Sequence, residues 1–132
     1  MRWPGSGAVK PFARPQRWLG TWWTMVLAVV VGSMLPALLL PNVPEGGDKL
    51  EHLIGYALLS AAAVQVFATR AAAWRAAMGL VAMGVLIEVA QGTLTTTRSM
   101  DPFDALANTC GVLLGLATMW MPLRDALLRM ER

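Results

Sequence analysis

Nine side chains in two short stretches of this sequence could do chemistry. "DKLEHLIGYALLS", which starts at residue 48, holds Asp48, Lys49, His52 and Tyr56. "EVAQGTLTTTRSMDPFDALANTCG", residues 88–111, holds Glu88, Gln91, Arg98, Asp104 and Asn108. On helices, these spacings place partners on common faces. Asp48, His52 and Tyr56 follow one another at four-residue steps, Glu88 and Gln91 at three, and Asp104 and Asn108 at four. A carboxylate such as Glu88 in an apolar setting can act as a base, with His52 as proton shuttle. A guanidinium such as Arg98 can grip a phosphate or carboxylate bidentately, or stabilise a developing anion. No nucleophile motif accompanies them. His52 is the single histidine and there is no cysteine cluster, so only carboxylates remain as companions for a metal. Neither a metal nor a cofactor is expected on that count.

Several of these residues also have a plain structural reading. "GGDKLEH" has the pattern of a helix start, with Asp48 as N-cap and Glu51 as the N3 acid. "SMDPFD" repeats it, with Asp101 as N-cap, Pro102 at N1 and Asp104 at N3. Glu88 can be held in an ion-pair network with Lys49, Arg98 or His52. Gly111 and Gly115 form a GxxxG pair, the mark of close helix packing.

The elements that must position these groups are apolar. Of 132 residues, 56% are hydrophobic and 14% charged. A soluble domain uses more charge to cover its surface. The apolar residues fall in four blocks, and these predict an all-α integral membrane protein with a bundle of four transmembrane helices. The expected spans are 18–40, 50–69, 74–94 and 102–121, each of about 20 residues, enough to cross the hydrocarbon core. The first block carries no charge and contains Pro36, a candidate kink. Its length, and the lack of a small-residue cleavage site after it, favour an uncleaved helix over a signal peptide. Residues 1–17 read as a basic, disordered tail and 122–132 as a second tail. Cys110 lies inside the fourth block and is expected to be buried and inert.

Lys and Arg set the orientation. Arg2, Lys10, Arg14, Arg17, Arg70, Arg75, Arg124, Arg129 and Arg132 fall on one side, which is nine of the eleven basic residues. That side is the expected cytoplasmic one, with both termini inside. Trp18, Trp22, Trp23, Trp74 and Trp120 lie at the same helix ends and read as interfacial anchors, while Trp3 is in the tail. Topology accounts for the basic balance, so no nucleic-acid partner is expected. Glu45, Asp48, Glu51, Glu88, Asp101 and Asp104 fall on the other side, six of the eight acids. From the outer helix ends, His52 lies ~6 Å deep and Glu88 and Asn108 each ~9 Å deep, at ~1.5 Å per residue. Three helices therefore contribute to one shallow polar layer. Ionisable groups at such depths face the bundle or a water-filled cavity.

The two motifs resemble those of the VanZ-like membrane proteins. Asp48, Lys49, His52 and Tyr56 match a D-K-x-x-H-x-x-x-Y pattern. Glu88, Gln91, Arg98, Asp104, Asn108, Gly111 and Gly115 match E-x-x-Q, then Arg, then D-x-x-x-N-x-x-G-x-x-x-G. The similarity covers residues 48–115. It implies a small bacterial multi-spanning protein of the cell (inner or plasma) membrane. It also implies that the polar layer is a shared family feature. The family's namesake is tied to resistance to the glycopeptide antibiotic teicoplanin, and the resemblance supplies no biochemical activity.

The expected partners are the lipid bilayer and a ligand held by the outer layer: a lipid headgroup, an envelope precursor or an amine-bearing antibiotic. The alternative is a membrane-embedded enzyme acting on an envelope lipid or precursor, with Glu88 and His52 as acid and base. Proton-coupled transport is less favoured, because the cytoplasmic halves of the helices offer few polar side chains, Gln65 and Thr118 among them. Nothing in the sequence sets an oligomeric state.

Overall fold

The computed structural model describes residues 8–35, 47–96 and 100–132. They form an all-α fold. In chain order the helices are α1 (Pro15–Met34), α2 (Gly47–Val66), α3 (Arg70–Leu94), α4 (Pro102–Ala117) and a short α5 (Ala126–Glu131). Two 3-10 turns, Thr118–Trp120 and Pro122–Asp125, join α4 to α5.

Local chemistry explains where the helices begin and end. Pro15 opens α1 at a position where its missing N–H costs nothing. Thr69 caps α3, its hydroxyl accepting from the Ala72 N–H at 3.1 Å, so that helix starts at Arg70 rather than at the expected Trp74. Asp101 caps α4 as expected, with Pro102 behind it. Pro122 holds Met121 in extended backbone (φ −98°, ψ 158°), which stops the helical run after Trp120. Pro36 and the expected end of the first helix at Leu40 lie outside the described residues.

The helices pack around α2. Its tightest neighbour is α4, and glycine is the reason. A Cβ on Gly111 would strike the Leu53 carbonyl oxygen, and one on Gly115 the Ala57 carbonyl oxygen. Only glycine lets the two backbones come this close. Ser60 seals the contact by donating to the Val112 carbonyl at 2.7 Å. Trp22 crosses from α1, buried, and donates to the Leu59 carbonyl at 3.0 Å. It is a packing residue, not the interfacial anchor expected of it. Trp18 is likewise engaged, donating to Glu131 at 2.9 Å, whereas Trp23, Trp74 and Trp120 are exposed.

Several polar side chains are buried beside the apolar core, and many large apolar ones are exposed. Ser60, Glu88, Gln91, Asp104 and Asn108 are buried, while Leu27, Val31, Leu58, Val85, Leu86, Leu113 and Leu114 are exposed. Two helices, Arg70–Leu94 and Pro102–Trp120, are long and apolar enough to cross a membrane, with only 33% and 39% of their most apolar windows buried in the protein. Cys110 is exposed rather than buried, because it lies on the outward face of α4.

Residues 8–17 of the first expected tail are folded against the second. Val9 forms an antiparallel bridge with Phe67, and the Lys10 N–H donates to the Val66 carbonyl at 2.9 Å. The Lys10 ammonium is buried. It donates to the Val64 carbonyl at 2.8 Å and to the Arg124 carbonyl, and lies 3.0 Å from Asp125. Glu131 accepts from the Ala13 and Arg14 N–H groups ahead of α1, where a carboxylate also suits the helix dipole. Gln65 grips the C-terminal segment at Leu123 and Leu127. Disorder, expected for residues 1–17, does not describe residues 8–17, where several backbone donors and the buried Lys10 find partners.

Two expectations follow. Gly115→Ala should lower stability by ~1–3 kcal/mol, the usual effect of overpacking. Gly79→Ala, where nothing lies within 4 Å of a new Cβ, should stay within ~1 kcal/mol of the parent. Thermal unfolding in lipid discs separates them, and equal effects would contradict the close α2–α4 contact. Lys10→Met leaves two carbonyls and Asp125 without their donor and should cost ~1–3 kcal/mol. A melting temperature equal to the parent's would show that the ammonium contributes nothing.

Candidate functional site

The start of α2, the end of α3 and the start of α4 meet at the end of the bundle opposite the tails. Asp101 sits at the junction. Its side chain accepts from the Phe103 N–H at 2.9 Å and from the Lys49 ammonium at 2.8 Å. Its own N–H donates to Glu88 at 3.1 Å. Lys49 also reaches Asp104 at 3.2 Å and Asp48 at 3.7 Å. One ammonium thus serves three carboxylates from two helices.

Beneath this layer, His52 Nδ1 lies 2.9 Å from Asn108 Oδ1. An amide oxygen only accepts, so Nδ1 carries the hydrogen and the ring is oriented by Asn108. His52 Nε2 then points toward Asp104 Oδ2 at 3.9 Å, beyond hydrogen-bond distance. One ligand-type atom each from His52, Glu88 and Asp104 lie within 4.8 Å of one another. Glu88 is 3% exposed, and its Oε1 has no hydrogen-bond partner among the described residues. The Tyr56 hydroxyl, buried one turn deeper on α2, also has none.

Most of the sequence-predicted residues converge. Lys49, His52, Tyr56, Glu88, Asp104 and Asn108 share this end of the bundle, and Asp48 touches its rim through Lys49. Three details differ from expectation. Asp48 is inside the first turn of α2, not its N-cap, since the helix already includes Gly47. Asp104 does not return to the Asp101 N–H as a capping-box acid. It turns to Lys49 and His52, and Glu88 takes that N–H instead. Gln91 faces α1 and donates to the Ser33 carbonyl at 2.7 Å, so it braces α3 against α1 and stands outside the cluster. Arg98 lies outside the described residues.

Some contributors were not foreseen. Asp101 is a full member of the cluster, although its sequence pattern signals only a cap. Gly84 lets α3 close on the site, because a Cβ there would lie 3.2 Å from the Asn108 side chain and 3.4 Å from the Tyr56 ring. The available sign was a small residue one turn before Glu88. Ser33 acts through its carbonyl, which no side-chain pattern reports.

The charge balance of the cluster is negative. Among the described residues, Lys49 is the one ammonium beside four carboxylates, and it reaches Asp48, Asp101 and Asp104 but not Glu88. The Lys49 ammonium, then the Phe103 N–H, hold the Asp101 carboxyl below the usual carboxylate range. Comparison with protein-family models, with curated proteins and with solved structures finds no match to this chain.

The lowered Asp101 carboxyl links stability to pH. Its stabilising effect is fully present above the unfolded value of ~3.9 and is lost as pH falls through the lower folded value. Asp101→Asn keeps a good helix cap but removes the charge. Its melting temperature should therefore lie below the parent's at pH 7, and the gap should close as the pH drops below ~4. A gap independent of pH would mean that the charge plays no part.

Proposed function

We propose that this chain is a VanZ-like, four-span protein of the bacterial cell membrane, with both termini in the cytoplasm. In this reading its outer polar cluster binds the polar group of an envelope ligand: a lipid headgroup, a lipid-linked precursor or a glycopeptide-type antibiotic. Support for the membrane setting comes from the many exposed large apolar side chains, the two long apolar helices and the concentration of Lys and Arg at the tail end. Support for the family comes from its two motifs, whose described polar members, Gln91 apart, gather at one end of the bundle, while Gly111 and Gly115 pack α4 on α2.

The observation that carries the binding role is the unpartnered Glu88 Oε1. A buried acceptor without a donor is costly, and so is an intramembrane carboxylate. Groups of that kind persist where a ligand supplies the missing partner. The ligand's contacting group is cationic or hydrogen-donating, because the surrounding carboxylates outnumber Lys49 and already occupy it.

Glu88→Gln tests this directly. The amide oxygen of Gln can keep the Asp101 N–H bond while the charge is lost. Its melting temperature in lipid discs should equal or exceed the parent's by a few degrees, as for groups kept for function at a cost in stability. The parent should also melt differently in discs of phosphatidylethanolamine, phosphatidylglycerol and phosphatidylcholine, and the variant should lose that dependence. A drop of several kcal/mol would instead make Glu88 part of a structural ion-pair network.

A further inference from the structure

We propose that His52, Glu88 and Asp104 bind a divalent first-row metal ion, with Zn2+ and Mn2+ the best fit to the donor set. The inference rests on the preceding reading of this cluster as a site and names the cation that enters it. Each of the three residues has one atom fixed and one left over. Asp104 gives Oδ1 to Lys49, His52 gives Nδ1–H to Asn108, and Glu88 gives Oε2 to the Asp101 N–H. Asp104 Oδ2 and His52 Nε2, 3.9 Å apart, and Glu88 Oε1 have no hydrogen bond among the described residues. Ligating histidines and carboxylates are typically oriented in this way by one outer contact each.

Distance and charge agree. Metal–ligand bonds of ~2.1 Å hold two ligand atoms up to ~4.2 Å apart. The present spread, within 4.8 Å, closes by small side-chain rotations. Glu88 is buried and faces no described cation, so a dication supplies the charge that Lys49 gives to the neighbouring acids. One imidazole nitrogen with two carboxylate oxygens suits borderline and hard dications and disfavours Cu(I), which prefers sulfur. The side chains of His52 and Asp104 are 19% and 12% exposed, which gives an ion a way in from the end of the bundle. Three protein ligands leave at least one coordination position for water or for an oxygen of a headgroup.

The test uses the full chain in phosphatidylcholine discs, stripped with chelator and dialysed. Zn2+ is titrated by calorimetry, and Co2+ by visible absorption, whose d–d bands report the donor set. The parent should bind about one ion per chain and melt several degrees higher with it. Glu88→Gln and Asp104→Asn should each weaken binding ~10-fold or more, with helix content unchanged by circular dichroism. Glu51→Gln, an exposed acid outside the cluster, should bind like the parent. If Asp104→Asn fails to fold, Glu88→Gln carries the comparison, since it can retain its backbone contact. No binding by the parent, or equal binding by every variant, would overturn the proposal. Headgroup dependence without metal binding would remove the metal and leave the ligand reading standing. Metal binding without headgroup dependence would do the reverse.

Discussion

α2 and α4 meet backbone to backbone, with the Leu53 and Ala57 carbonyls where a side chain on residue 111 or 115 would otherwise be. The polar end depends on that contact. Asp104, Asn108, Gly111 and Gly115 form one stripe along α4, spaced four, three and four residues apart. With the glycine half pressed on α2, the polar half is carried against the first turns of the same helix. His52 then meets Asn108, and Lys49 meets Asp104, without further adjustment. α3 closes the third side through Gly84, which brings Glu88 under the α4 cap.

Each end of the bundle is organised around one lysine. At the tail end, Lys10 is sealed between backbone carbonyls and Asp125, whose carboxyl it holds below the usual range. At the other end Lys49 is shared among carboxylates and remains half-exposed. The difference is one of satisfaction. Lys10 has acceptors for its hydrogens and a single counter-ion. Among the described residues around Lys49 the acids are in excess, and one of them, Glu88, is buried beyond its reach. The first arrangement closes a structure, whereas the second leaves a net negative charge among the described residues.

The helical class and the four long helices were legible in the sequence, because each block is apolar and bounded by caps or proline. Convergence of His52, Glu88 and Asn108 was legible from their similar depths along three helices. The rest depended on contacts that no local pattern encodes. The Glu88–Asp101 bond joins the end of α3 to the cap of α4, so the capping-box spacing pointed to Asp104 instead. Gln91 shares a face with Glu88, yet one turn along α3 that face already meets α1 at Ser33. The folding of residues 8–17 was hidden because Pro, Gly and basic residues read as disorder, while the partners of Lys10 come from the far end of the chain. The trio of ligand-type atoms was hidden for the same reason: its members come from three helices, so no spacing announces it.

The stripe on α4 has a consequence for length. Site and packing residues lie on one helical surface, separated only by the three steps from Asn108 to Gly111. One residue inserted there would turn everything on one side by ~100° relative to the other, swinging either the glycines or Asp104 and Asn108 away from α2. Side chains along this helix can be exchanged one at a time, each at its own cost. Its register cannot drift, so insertions and deletions belong in the connecting segments, and α4 must keep its count of residues even where its letters change.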